Sequence, residues 1–207
     1  MTLIDGERPA VQTRSKATRD AMLAAGRALL ASNDFGSLTI ADIAASAGVS
    51  VGSFYGRFRD KEAFFAVLVQ ELFEDSALQV NETFLMARDR GSEEIVSDMV
   101  NFLTEFYRRH QGVIRAILKH ASNRPDSWSP AKRGGARLKD TMVVTLGPQL
   151  GHIADSQREF RIRFAMHLLF GALVHTVLND PGPIKLADRK LEQELKRAFC
   201  AYLEIPL

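Results

Sequence analysis

Cysteine is nearly missing from this chain: Cys200 is the only one in 207 residues. An intramolecular disulfide is therefore excluded, and a reducing, cytoplasmic setting is expected, with Cys200 packed as a small hydrophobe on the last helix. Net charge is scarce too. Lysine and arginine number 27 against 25 aspartates and glutamates, a balance of +2 at pH 7. That excludes a broad basic coat for nucleic acid and confines any such affinity to a small patch. The opening MTLIDGERPAVQTRSKATRD has no apolar segment of the secretory kind. Charges interrupt every apolar run short of the roughly 20 residues of a membrane span, so no membrane partner is expected. No segment alternates like a convincing strand, and neither an internal repeat nor a low-complexity tract is found.

The groups that enzymes use are present but not assembled. His110, His120, His152, His167 and His175 never stand four apart, so no two share a helix face at metal-ligand spacing. His152 and Asp155 are three apart, yet a site needs three or four ligands. Ser129 to Lys132 spells S-x-x-K in a proline-flanked loop without the partner motifs of serine lactamases. No glycine-rich loop follows a strand. No catalytic residue, metal or cofactor is expected, and the chain is read as a non-enzyme.

What is there is concentrated in residues 38–62, LTIADIAASAGVSVGSFYGRFRDKE. Thr39 suits the N-cap of a helix running to about Ala47, with Ile40, Ile43 and Ala47 on one face. Gly48 can take the left-handed conformation of a sharp turn, Val49 plugs the elbow, and Ser50 can cap a second helix from Val51 to about Phe58. Ala44 is small where the helices cross. Phe54 and Phe58, four apart, supply the buried stripe. Val51, Gly52, Ser53, Tyr55, Gly56 and Arg57 are left on a slim outward surface near the helix N-terminus, the end that enters a major groove in helix-turn-helix proteins. Arg57, Arg59 and Lys61 outweigh Asp60 beside it, which suits phosphates.

From about Thr13 to Leu68 the chain resembles the N-terminal domain of the TetR family of transcriptional repressors. The resemblance rests on the helical run Ala21 to Leu30, on Phe35 and Gly36 before Thr39, on Ile43, Ala44, Ala47, Gly48, Val49 and Ser50, and on Phe54, Tyr55, Phe58, Lys61 and Glu62. It implies a first helix across the hairpin, for which Met22, Ala25 and Leu29 provide an apolar face. It also implies that Tyr55 and Lys61, with Thr39 and Ser50, hold phosphates, while Val51, Gly52, Ser53 and Arg57 face bases. Two positions depart from the family's pattern. Gly56 stands where an aromatic or histidine is common, which removes one phosphate contact. Val51 stands where a polar residue is frequent, and can only pack on a thymine methyl.

The remainder reads as all-helical. Asp60 should cap a long helix reaching about Arg88, with Phe64, Phe65, Leu68 and Leu72 inward. A second helix starts at Ser92, a shorter one spans Gly112 to Ser122, the NRPDSWSP stretch at 123–130 breaks the pattern, and another begins near Ala131 and stops at Gly147 and Pro148. Phe160 to Asn179 is apolar around most of its circumference, and Leu186 to Leu203 forms the final helix. These last two resemble the pair that builds a four-helix dimer interface in TetR-like proteins, through Phe164, Leu168, Gly171, Val174, Leu178, Leu191, Leu195, Phe199 and Tyr202. Met99, Phe102, Phe106 and Phe170, with Trp128 and Met142 outside them and His120, His167 or Arg163 as polar anchor, are candidates for lining a ligand cavity between helices.

The expected architecture is thus all-α: a leader over 1–12, a three-helix helix-turn-helix DNA-binding domain over 13–60, and a larger helical ligand-binding and dimerisation domain over 61–207. The expected partners are a palindromic double-stranded DNA operator, a second copy of the chain in a homodimer, and a small-molecule effector whose identity the residues do not reveal. The other reading is a helical small-molecule-binding protein or enzyme that retains the head as a packing module.

Overall fold

The computed structural model describes residues 13–85, 90–121, 129–179 and 182–207, all helices and connections without a strand among them. The helices are α1 (Thr13–Ser32), α2 (Ile40–Ser46), α3 (Val51–Tyr55), α4 (Lys61–Leu85), α5 (Ser92–Arg109), α6 (Gln111–Ala121), α7 (Ser129–Leu146), α8 (Asp155–Asn179) and α9 (Lys190–Tyr202). The expected leader, Trp128 and most of the 123–130 break lie outside the described residues, while Ser129 and Pro130 already belong to α7. The chain forms two compact units, Met1–Phe73 with Gly112–Ala131, and Glu74–Gln111 with Lys132–Leu207.

The first unit is built on close approach at two glycines. A Cβ on Gly26 would stand 2.5 Å from the Phe64 ring, so α1 and α4 meet at a distance only glycine allows. Phe64 then reaches the rings of Phe54 and Phe58 at 5.5 and 5.2 Å between centroids. Around them Met22, Leu23, Leu30, Ile43, Phe65 and Leu68 are buried. At the second site a Cβ on Gly112 would lie 2.1 Å from the Leu30 carbonyl oxygen, which brings the start of α6 against the backbone at the end of α1. Lys119 pairs with Asp34 at 2.8 Å and His120 with Glu62 at 2.9 Å, and the His120 ring stands edge-on to Phe35 and Phe65. On the other side of α1, Arg19, 4% exposed, binds Glu71 of α4, which Arg27 joins at 3.3 Å.

In the second unit α5 lies against α9 and α8. Its buried stripe, Ile95, Val96, Met99, Val100, Leu103 and Tyr107, follows the helical period. Two ion pairs fasten α5 to α9: Lys196 to Glu93 at 2.7 Å, and Arg108 to Glu192. Arg108 also donates to the carbonyls of Leu186 at 2.6 Å and Asp188 at 2.9 Å. That guanidinium holds 186–188 on a non-helical path, and α9 starts at Lys190 instead of Leu186. Cys200 is fully buried on α9, and burial pushes its thiol pKa up, consistent with a packing role.

Helix α8 begins five positions earlier than the apolar pattern suggests, at Asp155, where Arg158 donates to the carbonyls of Leu150 and Ile153. Its most apolar 18-residue window has a mean hydropathy of 1.3, so by length and composition it could cross a membrane. The expectation that charges interrupt every apolar run is too strong for this helix, because its charges cluster in the first third. One face of it, Ile162, Ala165, Met166, Leu169, Leu173 and Val177, is core.

Gly112→Ala should therefore destabilise the first unit by about 1–3 kcal/mol, since the added methyl meets backbone that cannot swing aside. The check is a urea titration read by circular dichroism, with a lower midpoint at similar slope. An unchanged midpoint would mean that α6 does not rest on α1.

Candidate nucleic-acid interface

Helix α2 is only seven residues long and its start is built by side chains. The Thr39 hydroxyl accepts from the Asp42 N–H at 3.1 Å, and the Asp42 carboxylate accepts from the Thr39 N–H at 2.9 Å and its hydroxyl at 2.6 Å, completing a capping box. The turn behind it uses Gly48 at φ +67°, where a side chain would be strained. Ser50 then caps α3, its hydroxyl accepting from the Ser53 N–H at 3.1 Å. Asp60 closes the motif by accepting from the Ala63 N–H at 2.7 Å at the start of α4.

Both capping carboxyls lie below the usual carboxylate range. Hydrogen bonds from the Thr39 side chain and then its backbone lower Asp42; the Ala63 N–H and then Arg59 lower Asp60. Depressed folded values mean that the capping contribution is complete above the unfolded carboxyl pKa of about 4 and fades as pH falls through the folded values.

Helix α3 spans five residues, too short to hold itself in water. It is held by Phe54, fully buried against Phe58 and Phe64. What it presents outward is Val51 (43% exposed), Gly52, Ser53 and Tyr55 (48% exposed), with Thr39 and Ser50 also exposed at the helix starts. This is a small, nearly uncharged surface. Valine can pack on a thymine methyl, while the serine and tyrosine hydroxyls can reach base edges or phosphate.

Two expected contact residues have partners or surroundings of their own within the head. Arg57 is only 4% exposed. The expectation of a base contact carried α3 on to Phe58, but the helix ends at Tyr55 and Arg57 leaves its register, so the side chain goes inward. Lys61, expected at a phosphate, instead directs its ammonium at the carbonyls of Phe35, Gly36 and Leu38, at 2.9, 3.3 and 2.8 Å. The signal for this was absent from the local sequence, because the acceptors stand more than twenty positions earlier.

The residues expected to line a ligand cavity are only partly gathered. Met99 and Met142 are fully buried in the second unit. Phe102 stacks on Phe106 at 6.4 Å and meets Phe84, which the sequence pattern did not single out, at 6.1 Å. Phe170 sits beside Gly135 and Lys139 of α7. The three polar anchors are dispersed. His120 belongs to the first unit, His167 is exposed on α8, and Arg163 is paired with Glu159 at 2.7 Å and Asp140 at 2.8 Å. Among the described residues of the second unit, buried polar groups are Thr104, Thr145, Thr176 and Tyr107, the last pushed by burial to a pKa of about 12.

The expected dimer residues divide. On α8, Phe164 (38% exposed), Leu168, Gly171 and Leu178 face outward with Phe160, and Val174 is half-buried. On α9, Leu195 and Tyr202 are half-buried, but Leu191 and Phe199 are core residues of the subunit, turned inward against the α5 side.

A capped, five-residue helix held on an aromatic core, with its first turn bare and outward, defines a helix-turn-helix DNA-binding protein. The model of the family "Bacterial regulatory proteins, tetR family" matches residues 22–68, and that of "Tetracyclin repressor-like, C-terminal domain" matches 93–203. The chain belongs to the TetR family of transcriptional regulators. Solved structures share the fold: a TetR-family regulator from Mesorhizobium loti has a TM-score of 0.74 at 17% identity, over 94% of this chain and 98% of its own. Another from Streptomyces coelicolor gives 0.71 at 15% over 92% and 82%, and the fatty acid degradation regulator FadR from Bacillus halodurans gives 0.63 at 16% over 92% and 96%.

Tyr55→Phe should weaken binding to every duplex alike by about 0.5–1.5 kcal/mol, the worth of one hydrogen bond, whereas Arg57→Ala should destabilise the head without relaxing any base preference. Anisotropy titrations on matched and mismatched duplexes, with melting curves, separate the two; a relaxed preference in a stable Arg57→Ala protein would restore that residue to the interface. Asp60→Ala should make the loss of stability as pH falls below about 4 shallower, as read by urea midpoints across that range. An unaltered pH profile would show that this cap is not linked to folding.

Proposed function

We propose that the protein is a cytoplasmic repressor that binds a palindromic operator as a homodimer and releases it when a small molecule enters the second unit. The observation that carries the dimer is the outward stripe on α8. Phe160, Phe164, Leu168, Gly171 and Leu178 recur at helical spacing on one exposed face, a length of apolar surface that water-facing helices do not keep. The stripe continues on to α9 through the Tyr202 ring, 5.6 Å from Phe164, beside the exposed Ala198 and Ala201. Two copies of α8 and α9 form a four-helix interface with a two-fold axis, and the operator then has half-sites about 34–36 Å apart, or a multiple of that.

The effector site on this reading lies among aromatic and sulphur side chains of the second unit, the buried Met99 and Met142 and the half-buried Phe102 and Phe106, with Phe84 and the Tyr107 hydroxyl added. Release follows from linkage. An effector that binds better to the arrangement unable to grip both half-sites must weaken the operator by the same factor. No cofactor enters this scheme.

Gly171 is the position for the test, because nothing lies within 4 Å of a Cβ placed there. Gly171→Trp fits the free subunit but wedges a pair. Sedimentation should show wild-type dimers and mutant monomers at micromolar concentration, with operator affinity falling toward the non-specific level, by about 10³-fold or more. A mutant that remains dimeric and binds as before would place the interface elsewhere, and a wild type that binds no duplex would favour the head as a mere packing module.

A further inference from the structure

We propose that the two-fold axis of the dimer passes beside Gly171 and sets His167 of each subunit against the partner's His175, so that assembly of the DNA-binding dimer depends on pH. The proposal rests on the reading of α8 and α9 as the dimer interface. Two helices that cross on a two-fold axis in antiparallel sense place each residue before the crossing against the residue equally far beyond it, so such a face must match itself when read in either direction. The outward face of α8 does so about Gly171. Three positions to either side stand Leu168 and Val174, at four stand His167 and His175, and at seven stand Phe164 and Leu178. Phe164, Leu168 and Leu178 are 38, 49 and 42% exposed, both imidazoles are exposed, and Val174 is half-buried. Gly171 carries no side chain, and no atom lies within 4 Å of a Cβ built there, so two backbones can approach at that point.

The surroundings of the imidazoles decide how they respond to protons. The Asn179 side chain donates to His175 Nδ1 at 3.0 Å, which leaves the neutral ring its proton on Nε2, a donor toward the partner. His167 lies tilted beside the Phe164 ring, 6.1 Å between centroids, and can accept that proton. Among the described residues no ion pair holds either ring. The charges nearby are matched elsewhere: Arg163 on Glu159 at 2.7 Å and on Asp140 of α7 at 2.8 Å, Arg161 on Glu204 at 2.9 Å, and Arg197 on Glu194 of α9 at 2.9 Å. To the stripe itself α9 brings the Tyr202 phenol, while α5 packs on the core face of α8.

One proton added to a pair can be shared between its two rings. A second leaves two cations in contact among Phe164, Leu168 and Leu178, out of water and without a carboxylate beside them. Separate subunits leave the same imidazoles in water, where they take up protons freely. Dissociation therefore binds protons, and the dimer is strongest above the imidazole range and weakens as pH falls through it. The exposed carboxylates of the neighbouring ion pairs stay ionised down to about pH 5 and do not follow. Since two joined heads are needed to grip both half-sites, operator affinity falls with the dimer.

The test uses the full-length wild type, the double variant His167→Gln with His175→Gln, and the single variants Gly171→Cys, His167→Cys and His175→Cys. Cys200 is fully buried, and the wild type oxidised alongside controls for it. By sedimentation equilibrium the wild-type dimer should have a Kd about a hundredfold or more higher at pH 5.5 than at pH 7.5, with unchanged circular dichroism. The double variant keeps polar side chains that take no proton, and its Kd should change by less than about threefold. Under mild oxidation Gly171→Cys should link to itself, and His167→Cys exchanged with His175→Cys should link faster than either alone. A wild-type Kd equal at both pH values, or a double variant with the wild-type pH dependence, overturns the proton linkage. A dimeric Gly171→Cys protein that does not link, or a His167→Cys protein that links best to itself, overturns the pairing. A wild type that is monomeric at pH 7.5 overturns the dimer reading itself, and the proposal with it.

Discussion

A recognition helix of five residues cannot keep its shape or direction unaided, so everything the head does depends on what grips it from behind. That grip is the first turn of α4. Phe64 packs under Phe54 and Phe58 and rests on the bare backbone of Gly26. Phe65 stacks on Phe35, Lys61 holds the carbonyls before α2, and Glu62 takes His120 of α6. Successive residues of one turn point to different elements because each is rotated about 100° from the last. A single turn therefore ties α1, α2, α3 and α6 together, and bulk at Gly26 or loss of the Phe64 ring would be felt in the direction of α3.

The near-neutral balance of the chain takes on a meaning in this light. Much of the head's positive charge works internally: Arg19 on Glu71, Arg57 folded inward, Lys61 on carbonyls. The surface that α3 offers is made of a methyl-bearing side chain, a glycine and hydroxyls. Affinity on such a surface depends on fit more than on an electrostatic coat.

How far the sequence reveals this depends on the reach of each interaction. Thr39, Gly48 and Ser50 act on neighbours within three residues, and their roles as caps and turn are legible directly. The burial of Phe54, Phe58, Phe64 and Phe65 follows from periodicity. Arg57 was not legible, because its direction turns on whether α3 ends at Tyr55 or three residues later, and helix ends are decided by packing. Lys61 and His120 were not legible either: their partners lie 23 to 26 positions away for Lys61, and on α4 for His120. The same applies to Gly112, whose need to be glycine comes from Leu30. On α8 the apolar circumference was plain, but which half is core depends on α5 and α9 packing against it, and on α9 it is the packing on α5 that leaves Leu191 and Phe199 buried.

Native-state hydrogen exchange on the full-length protein tests the central claim most directly, that the first turn of α4 binds the recognition helix and α6 into one body. The amides of Phe54, Arg57 and Phe58, of Phe64 and Phe65, and of residues 114–120 should open with a common free energy and a common dependence on denaturant. Amides in α6 that open at markedly lower free energy while those of α3 and α4 stay protected would contradict it.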